Sequence, residues 1–169
     1  MLQTGRLILR PFENSDVDPL YEIQGDRDYM RFTYCAESRN ACEDWLCRYE
    51  RSRTANGFAP WTVVHKADER VIGWGGLNVD PNVPGWGIEV TYFIHRDYGG
   101  RGYATEVVRA SLREGFEDLD VPAIGAFAKP ENRGSIRVLE KCGFSILGYE
   151  PALERNHYEV RHEGWGDGR

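Results

Sequence analysis

The sequence lacks the features that mark membrane, metal-binding and nucleic-acid-binding proteins. No apolar run approaches the roughly 20 residues of a membrane span, and the four cysteines and four histidines match no zinc or redox spacing. Basic residues are in deficit, because 21 lysines and arginines stand against 27 aspartates and glutamates, for a formal charge of −6. Binding to nucleic acid or anionic lipid needs a basic face. We therefore expect no metal, no nucleic-acid partner and no membrane partner.

The residues after Met1 also lack the apolar stretch of a signal peptide, which favours a cytoplasmic protein with free thiols. The 169 residues, of which 41% are hydrophobic and 28% charged, suit one soluble globular domain over residues 1–169. An acidic protein of this kind favours an amine or other cationic substrate.

Hydrophobic periodicity predicts an α/β protein. Strands are expected at residues 6–12, 61–66, 71–79, 86–94, 122–129, 145–150 and 158–162. Asp18 and Pro19 are expected to begin a first helix that ends near Gln24, and Ser38 to cap a second that ends at residues 56–57. Further helices are expected at residues 102–117 and 133–142, the latter ended by Gly143. Together they predict one mixed, mostly antiparallel twisted sheet of six to seven strands with helices on both faces.

A glycine-rich turn joins the fourth predicted strand to the third helix, with the sequence Gly99-Gly100-Arg101-Gly102. Glycines let the backbone adopt positive φ and approach a ligand closely, and the amides of a helix N-terminus attract anions. The turn therefore predicts a phosphate site, and a simple tight β–α connection is the alternative. The phosphate-binding loop motif G-x-x-x-x-G-K-[ST] is absent from the sequence. A dinucleotide fingerprint fits poorly, because Thr105 stands where its third glycine belongs and the preceding half is predicted antiparallel.

Charge is unevenly distributed around this turn. Residues 96–141 contain eight basic and eight acidic residues, so the whole excess of −6 lies outside them. A neutral segment containing Arg96, Arg101, Arg133 and Arg137 suits a phosphorylated cofactor, and the acidic remainder suits an amine. Chance distribution of surface charge explains the same numbers equally well.

The motifs, taken in order, resemble the GNAT superfamily of acyl-CoA-dependent N-acyltransferases. Residues 99–104 match its loop Q/R-x-x-G-x-G/A, except that Gly99 replaces the usual Arg or Gln. Residues 132–135 and 140–144 look like the N-x-x-S and E-K-x-G-F block of the branch that contains ribosomal-protein alanine and serine N-acetyltransferases. Residues 4–10, the Ile72-Gly73 pair and Glu89 also resemble that branch, so the likeness covers nearly the whole chain.

The resemblance implies a GNAT-like fold whose sheet opens near Ile94 and Ala126 to admit acetyl-CoA as co-substrate, with no metal. Backbone groups of Phe93, Ile94 and His95 would lie beside the thioester, and Asn132 would bind the pantetheine amides. The pyrophosphate and nearby groups would be held by Gly100, Arg101, Gly102, Tyr103, Ala104, Thr105 and Arg137.

The resemblance also implies catalytic roles for Glu89 and Ser135. Because an amine with a pKa of about 10 is neutral in about one molecule per thousand at pH 7, Glu89 is expected to act as general base. Ser135 is expected to donate a proton or hydrogen bond to the departing thiolate. The alternatives are a solvent-facing strand glutamate for Glu89 and helix capping for Asn132 and Ser135. Cys142, before Gly143, is interpreted as a core residue rather than a nucleophile.

The expected acceptor is a primary amine, either a protein N-terminus or a small molecule. The acetyl group is expected to pass to it directly from acetyl-CoA. Residues 28–40 and 80–86 are predicted to form the rim of the acceptor pocket, and a homodimer is compatible with the resemblance. A non-catalytic acyl-CoA sensor or interaction module is the alternative function. The presence of both Glu89 and Ser135 favours the enzyme.

Overall fold

A mixed eight-stranded sheet forms the centre of the protein in a computed structural model that describes residues 1–80 and 84–165. The strand order is β1-β2-β3-β4-β5-β6-β8-β7, and every neighbouring pair is antiparallel except β5 and β6. The strands are β1 Leu2–Gln3, β2 Leu7–Arg10, β3 Trp61–His65, β4 Val71–Asn78, β5 Glu89–Ile94, β6 Ala123–Ala128, β7 Ser145–Glu150 and β8 Arg155–Arg161. The predicted fold class is confirmed, with one more strand than expected because β1 is only two residues long.

Four α-helices flank the sheet: α1 Val17–Gln24, α2 Arg39–Asn56, α3 Tyr103–Arg113 and α4 Arg133–Lys141. The expected caps of α2 are confirmed, because the Ser38 hydroxyl accepts a hydrogen bond from the Ala41 amide and Gly57 has φ of +83°. Gly143, with φ of +86°, follows α4 as expected. The backbone continues from α3 through a π-helical turn, Glu114–Asp118, which takes the place of the last turn of the predicted helix.

The predicted start of α1 at Asp18 and Pro19 is wrong. The helix begins at Val17, after a 3₁₀ turn over Asn14–Asp16. Asp16 is buried, and its carboxylate accepts hydrogen bonds from the Arg10 guanidinium at 2.6 and 2.7 Å and from the Thr62 hydroxyl at 2.9 Å. These contacts with β2 and β3 place the helix start earlier than local capping preferences indicate.

The helices bury the two faces of the sheet in separate layers. α1 and α2 pack Leu20 and Leu46 against Trp74 of β4 and Phe93 of β5. On the opposite face, α3 and α4 pack Val108 and Leu139 around Val90. No helix of the described residues is both long and apolar enough to cross a membrane.

The parallel strands β5 and β6 separate almost as soon as they meet. Glu89 and Gly125 form their single paired position, and the Gly125 amide donates to the Ile88 carbonyl at 2.9 Å. Beyond that pair β5 continues to Ile94 and β6 to Ala128 without pairing to each other. The result is a wedge-shaped opening in the sheet. Its narrow end is the Glu89–Gly125 pair, and it includes Ile94 and Ala126, near which the opening was expected.

Candidate active site

The glycine turn lies at the wide end of this opening, directly before α3. Gly100 and Gly102 have φ of +71° and +84°, a region that side-chain-bearing residues adopt only with strain. Gly102 is the N-cap residue of α3, and its carbonyl accepts from the Glu106 amide at 3.0 Å. The amides of the first helical turn, from Tyr103 to Thr105, therefore face the turn without partners inside the helix. Such a group of amides suits an anion.

Arg6 braces this turn from the N-terminal strand. Its guanidinium donates to the Arg101 carbonyl at 2.9 Å and to the Glu106 carboxylate at 2.8 Å, and it lies 4.3 Å from the centroid of the Tyr103 ring. Burial acts to raise the pKa of Glu106, but hydrogen bonds from Thr4 and Arg6 hold that pKa below its ordinary value. The carboxylate next to the anion-binding amides is thus kept ionised and paired.

The register of β5 decides which of its amides face the opening. The His95 amide donates to the Ile72 carbonyl at 2.6 Å. In an antiparallel pair such bonds alternate, so the Phe93 amide also points toward β4, and the amides of Tyr92 and Ile94 point toward the opening. The Tyr29 hydroxyl donates to the Ile94 carbonyl at 2.6 Å. The His95 carbonyl accepts from the Tyr98 amide at 2.9 Å, which leaves both backbone groups of His95 with partners in the protein.

Glu89 stands at the narrow end of the opening, on the face that α1 and α2 cover. Burial, with a smaller contribution from the charge of Asp80, raises the pKa of its carboxyl to about 7 against the opposing charge of Arg155. The side chain is half-buried rather than solvent-facing. Asn78 on β4 is its register partner, and the buried Oδ1 of Asn78 has no hydrogen-bond partner among the described residues. A carboxyl with this pKa can both take and release a proton near neutral pH.

Ser135 lies on the other face, at the first turn of α4. The Asn132 side chain caps this helix by accepting from the Ser135 amide at 3.2 Å, so the predicted capping role is present. The Ser135 Oγ lies 2.8 Å from the Tyr92 hydroxyl, which also donates to the Ser135 carbonyl at 3.2 Å. Burial raises the pKa of Tyr92. Sequence analysis missed this partner, because Tyr92 falls among the apolar residues of its strand face.

Three aromatic rings that sequence analysis did not bring together surround the same end of the opening as Glu89. The Phe127 and His157 rings stack with centroids 4.6 Å apart and planes 12° apart. Trp86 meets both edge-on, at 4.8 Å and 5.6 Å. All three are half-buried. We call this group the aromatic triad, and it would have been recognised only if the pairing of β6 with β8 had been known.

The remaining predicted site residues fall outside this centre. Arg137 is exposed on α4. The Cys142 thiol is buried, with its pKa raised by burial, as the core interpretation expects. Within the predicted rim, Tyr34 stacks on Trp45 at 5.4 Å, and residues 81–83 lie outside the described part of the chain. Among the residues that the structure describes, no group of three metal-ligating side chains comes together.

Comparison with known proteins agrees with this geometry. Residues 6–145 match the model of the acetyltransferase (GNAT) domain family. The probable N-acetyltransferase YjcK of Bacillus subtilis (strain 168) is 42% identical over 158 residues, which cover 88% of this chain and 85% of YjcK.

Two solved structures share the fold. One is the acetyltransferase from Agrobacterium tumefaciens str. C58, with a TM-score of 0.80 and 23% identity over 95% of this chain and 93% of that chain. The other is the ribosomal-protein-S5-alanine acetyltransferase from Vibrio fischeri, with a TM-score of 0.76 and 17% identity over 97% of each chain. At these identities the structures establish the fold alone. The family match over most of the chain establishes more: the protein is an acetyltransferase and belongs to the GNAT family.

Proposed function

We propose that the protein transfers an acetyl group from acetyl-CoA directly to a primary amine, with Glu89 as general base. The observation that carries the proposal is the position of Glu89 at the narrow end of the sheet opening, together with its pKa of about 7. A base with that pKa matches the working pH, and an ordinary exposed glutamate would be a much weaker one.

The anion-binding amides of Tyr103, Ala104 and Thr105 are proposed to hold the pyrophosphate of CoA. The positive φ angles of Gly100 and Gly102 support this, because they turn the chain so that the first helical amides are free. Asn132 uses its Oδ1 for capping, which leaves its amide NH₂ group for the pantetheine. Acetyl-CoA would supply the activated thioester, and the amides of Tyr92 and Ile94, which point toward the opening, would donate to its carbonyl oxygen.

Ser135 is proposed to serve the leaving side of the reaction. Its hydroxyl can donate to the departing sulfur when the single proton of the Tyr92 hydroxyl, 2.8 Å away, is directed to the Ser135 Oγ rather than to the Ser135 carbonyl. Glu89 and Ser135 lie on opposite sides of β5, because Glu89 projects toward α1 and α2, whereas Ser135 belongs to α4 and contacts Tyr92. The amine would therefore give its proton to Glu89 on one side, and the sulfur would accept a hydrogen bond from Ser135 on the other.

Calorimetry with CoA, followed by assay of CoA release with a panel of amines, tests this function. Gly102→Asp should weaken CoA binding by roughly tenfold or more relative to Gly102→Asn, because only the former places a negative charge beside the phosphates. The two variants share the same backbone strain, so strain alone would weaken both equally. Equal CoA affinity of the two variants would contradict the loop assignment, and CoA binding without acetylation of any amine would favour a sensor.

A further inference from the structure

We propose that the acceptor carries a carboxylate beside its amino group and a flat apolar side chain, as an aromatic α-amino acid does. Glu89, Arg155 and the aromatic triad would bind these three groups on one face of the sheet. The inference rests on the proposed function, since it names the substrate of the same site. It favours a small amino acid over a protein N-terminus.

Strand register places the three elements on one face. Glu89 pairs with Gly125 of β6, and Gly125 pairs with Glu159 of β8. Side chains alternate along a strand, so Phe127, His157 and Arg155 project to the same side as Glu89. The opposite side of β6 is buried against α3 and α4 by Ile124, Ala126 and Ala128. The Glu89 side of β6 and β8 is only half-buried, which leaves a surface that a small molecule can reach.

Gly125 provides room between Glu89 and the rings. A Cβ atom added there would lie 3.5 Å from His157 Nε2 and 3.7 Å from the Ile88 carbonyl oxygen, both ordinary contact distances. The glycine is therefore not required by crowding. The position without a side chain lies between the backbone beside Glu89 and the ring of His157. An amine that reached Glu89 beside these rings would lie at the narrow end of the opening, where the thioester is proposed to reach.

Arg155 supplies a positive charge next to His157 on the same face of β8. Its side chain is half-buried, and its charge opposes the rise in the pKa of both Glu89 and Tyr49. Among residues 1–80 and 84–165 it forms no ion pair, whereas Arg161 on the same strand face pairs with Glu159 at 2.8 Å. A half-buried guanidinium without a bound carboxylate is suited to receive one from the substrate, through two parallel hydrogen bonds.

The same charge disfavours other acceptors. A polyamine would bring a second ammonium group toward Arg155, where like charges repel. A peptide N-terminus carries an amide in place of the carboxylate and would leave the guanidinium unpaired. The stacked Phe127 and His157 rings favour a planar side chain, because aromatic groups gain from edge-to-face or offset contact beyond simple burial.

The transfer itself balances with groups already described. The lone pair of the acceptor nitrogen forms the new bond to the acyl carbon, and the bond from that carbon to sulfur breaks with its electron pair on sulfur. The nitrogen loses a proton to the Glu89 carboxylate. The thiolate leaves with a hydrogen bond from the Ser135 hydroxyl and takes its proton from solvent, to which Glu89 returns the proton of the amine.

The test compares four acceptors with acetyl-CoA: L-phenylalanine, L-phenylalaninamide, L-alanine and spermidine. Acetylation is followed by CoA release and by the mass of the product. We expect kcat/KM for phenylalanine to exceed that for phenylalaninamide and for spermidine by roughly tenfold or more. Arg155→Gln should lower the ratio of kcat/KM for phenylalanine to kcat/KM for phenylalaninamide by roughly 10- to 100-fold. Any change in the pKa of Glu89 that follows from losing the Arg155 charge affects both acceptors and cancels in this ratio. Comparing each acceptor between variant and wild type cancels the different basicities of the two amines.

Matched controls separate recognition from folding. Arg161→Gln, on the same face of β8, should leave the preference for phenylalanine over phenylalaninamide and over spermidine unchanged. Arg155→Lys should recover part of that preference. Phe127→Ala should lower the ratio of phenylalanine to alanine as acceptors by roughly tenfold, and calorimetry with CoA checks that each variant retains its fold. The proposal would be overturned if phenylalaninamide or spermidine were used as well as phenylalanine, or if Arg155→Gln affected all acceptors equally. CoA binding without transfer to phenylalanine or alanine would also overturn it. If the wild-type protein did not bind CoA, the proposed function itself would be refuted.

Discussion

Replacing Glu89 by Gln should remove the base while keeping the size and hydrogen bonding of the side chain. Loss of a positioned general base costs roughly 10²–10⁴ in rate, so kcat should fall by that factor while the affinity for CoA is retained. In the wild-type protein kcat/KM should rise as pH increases through about 7, where the Glu89 carboxyl ionises. The defect of the variant should shrink toward pH 9, because more of the amine is then already neutral.

The same substitution should stabilise the fold at alkaline pH. The pKa of Glu89 is raised from 4.5 to about 7 by folding. The contribution of this group to the stability of the wild-type protein is therefore fully present below pH 4.5 and is lost as the pH rises through about 7. The difference amounts to at most about 3 kcal/mol, at 1.36 kcal/mol for each pKa unit. Denaturant unfolding of Glu89→Gln should therefore show a higher free energy of unfolding than wild type at pH 8 and little difference at pH 4.

Glu114 offers a matched control for this reasoning. Burial also raises the pKa of its carboxyl to about 7, with Asp118 adding to the shift and Arg53 opposing it, but it lies in the π-helical turn after α3. Glu114→Gln should give a comparable gain in stability at pH 8 with no loss of kcat. If Glu89→Gln keeps near-normal kcat from pH 6 to 9 with its best acceptor, Glu89 is only a strand residue and the mechanism proposed above is wrong.

Three further predictions concern Ser135, Arg6 and Gly143. Ser135→Ala should lower kcat less than Glu89→Gln does and with little dependence on pH, and Tyr92→Phe should reproduce part of that loss. If Ser135→Ala released thiolate at the wild-type rate in stopped-flow assays, Ser135 would have no part in the mechanism. Arg6→Gln should weaken CoA binding in calorimetry, because it frees the turn carbonyl at Arg101 and leaves the Glu106 carboxylate unpaired beside the phosphates; unchanged affinity would show that the brace is dispensable. Gly143→Ala should lower the free energy of unfolding by about 1 kcal/mol, because φ of +86° disfavours a side chain, and thermal unfolding without a shift would count against it.

Local patterns predicted those features of the fold that depend on neighbouring residues. Ser38 and Gly57 mark the ends of α2 because capping involves groups three or four residues apart. The start of α1 was misplaced for the opposite reason. Asp16 is held by Arg10 and Thr62, and no local preference encodes a hydrogen bond that spans 46 residues.

The candidate site shows the same division. The glycine turn and Glu89 were found because motif and strand alternation identify them within a few residues. Arg155, Phe127 and His157 were missed, because they come together only through the pairing of β6 with β8. Trp86 lies within residues 80–86, which were predicted to form part of the rim of the acceptor pocket. A residue whose role depends on the register of distant strands carries no signal of its own in one sequence.

The single paired position between β5 and β6 also bears on how the protein folds. β1 to β5 are joined by connections that mostly link neighbouring strands, and β6 to β8 form a second group within residues 123–161. Each group can close its own contacts early, because nearby segments meet with little loss of chain entropy. The seam between them, with one pair at Glu89 and Gly125, forms when both groups are in place. It is also where backbone amides should exchange with solvent most readily, so the proposed reaction would take place at the least protected junction of the sheet.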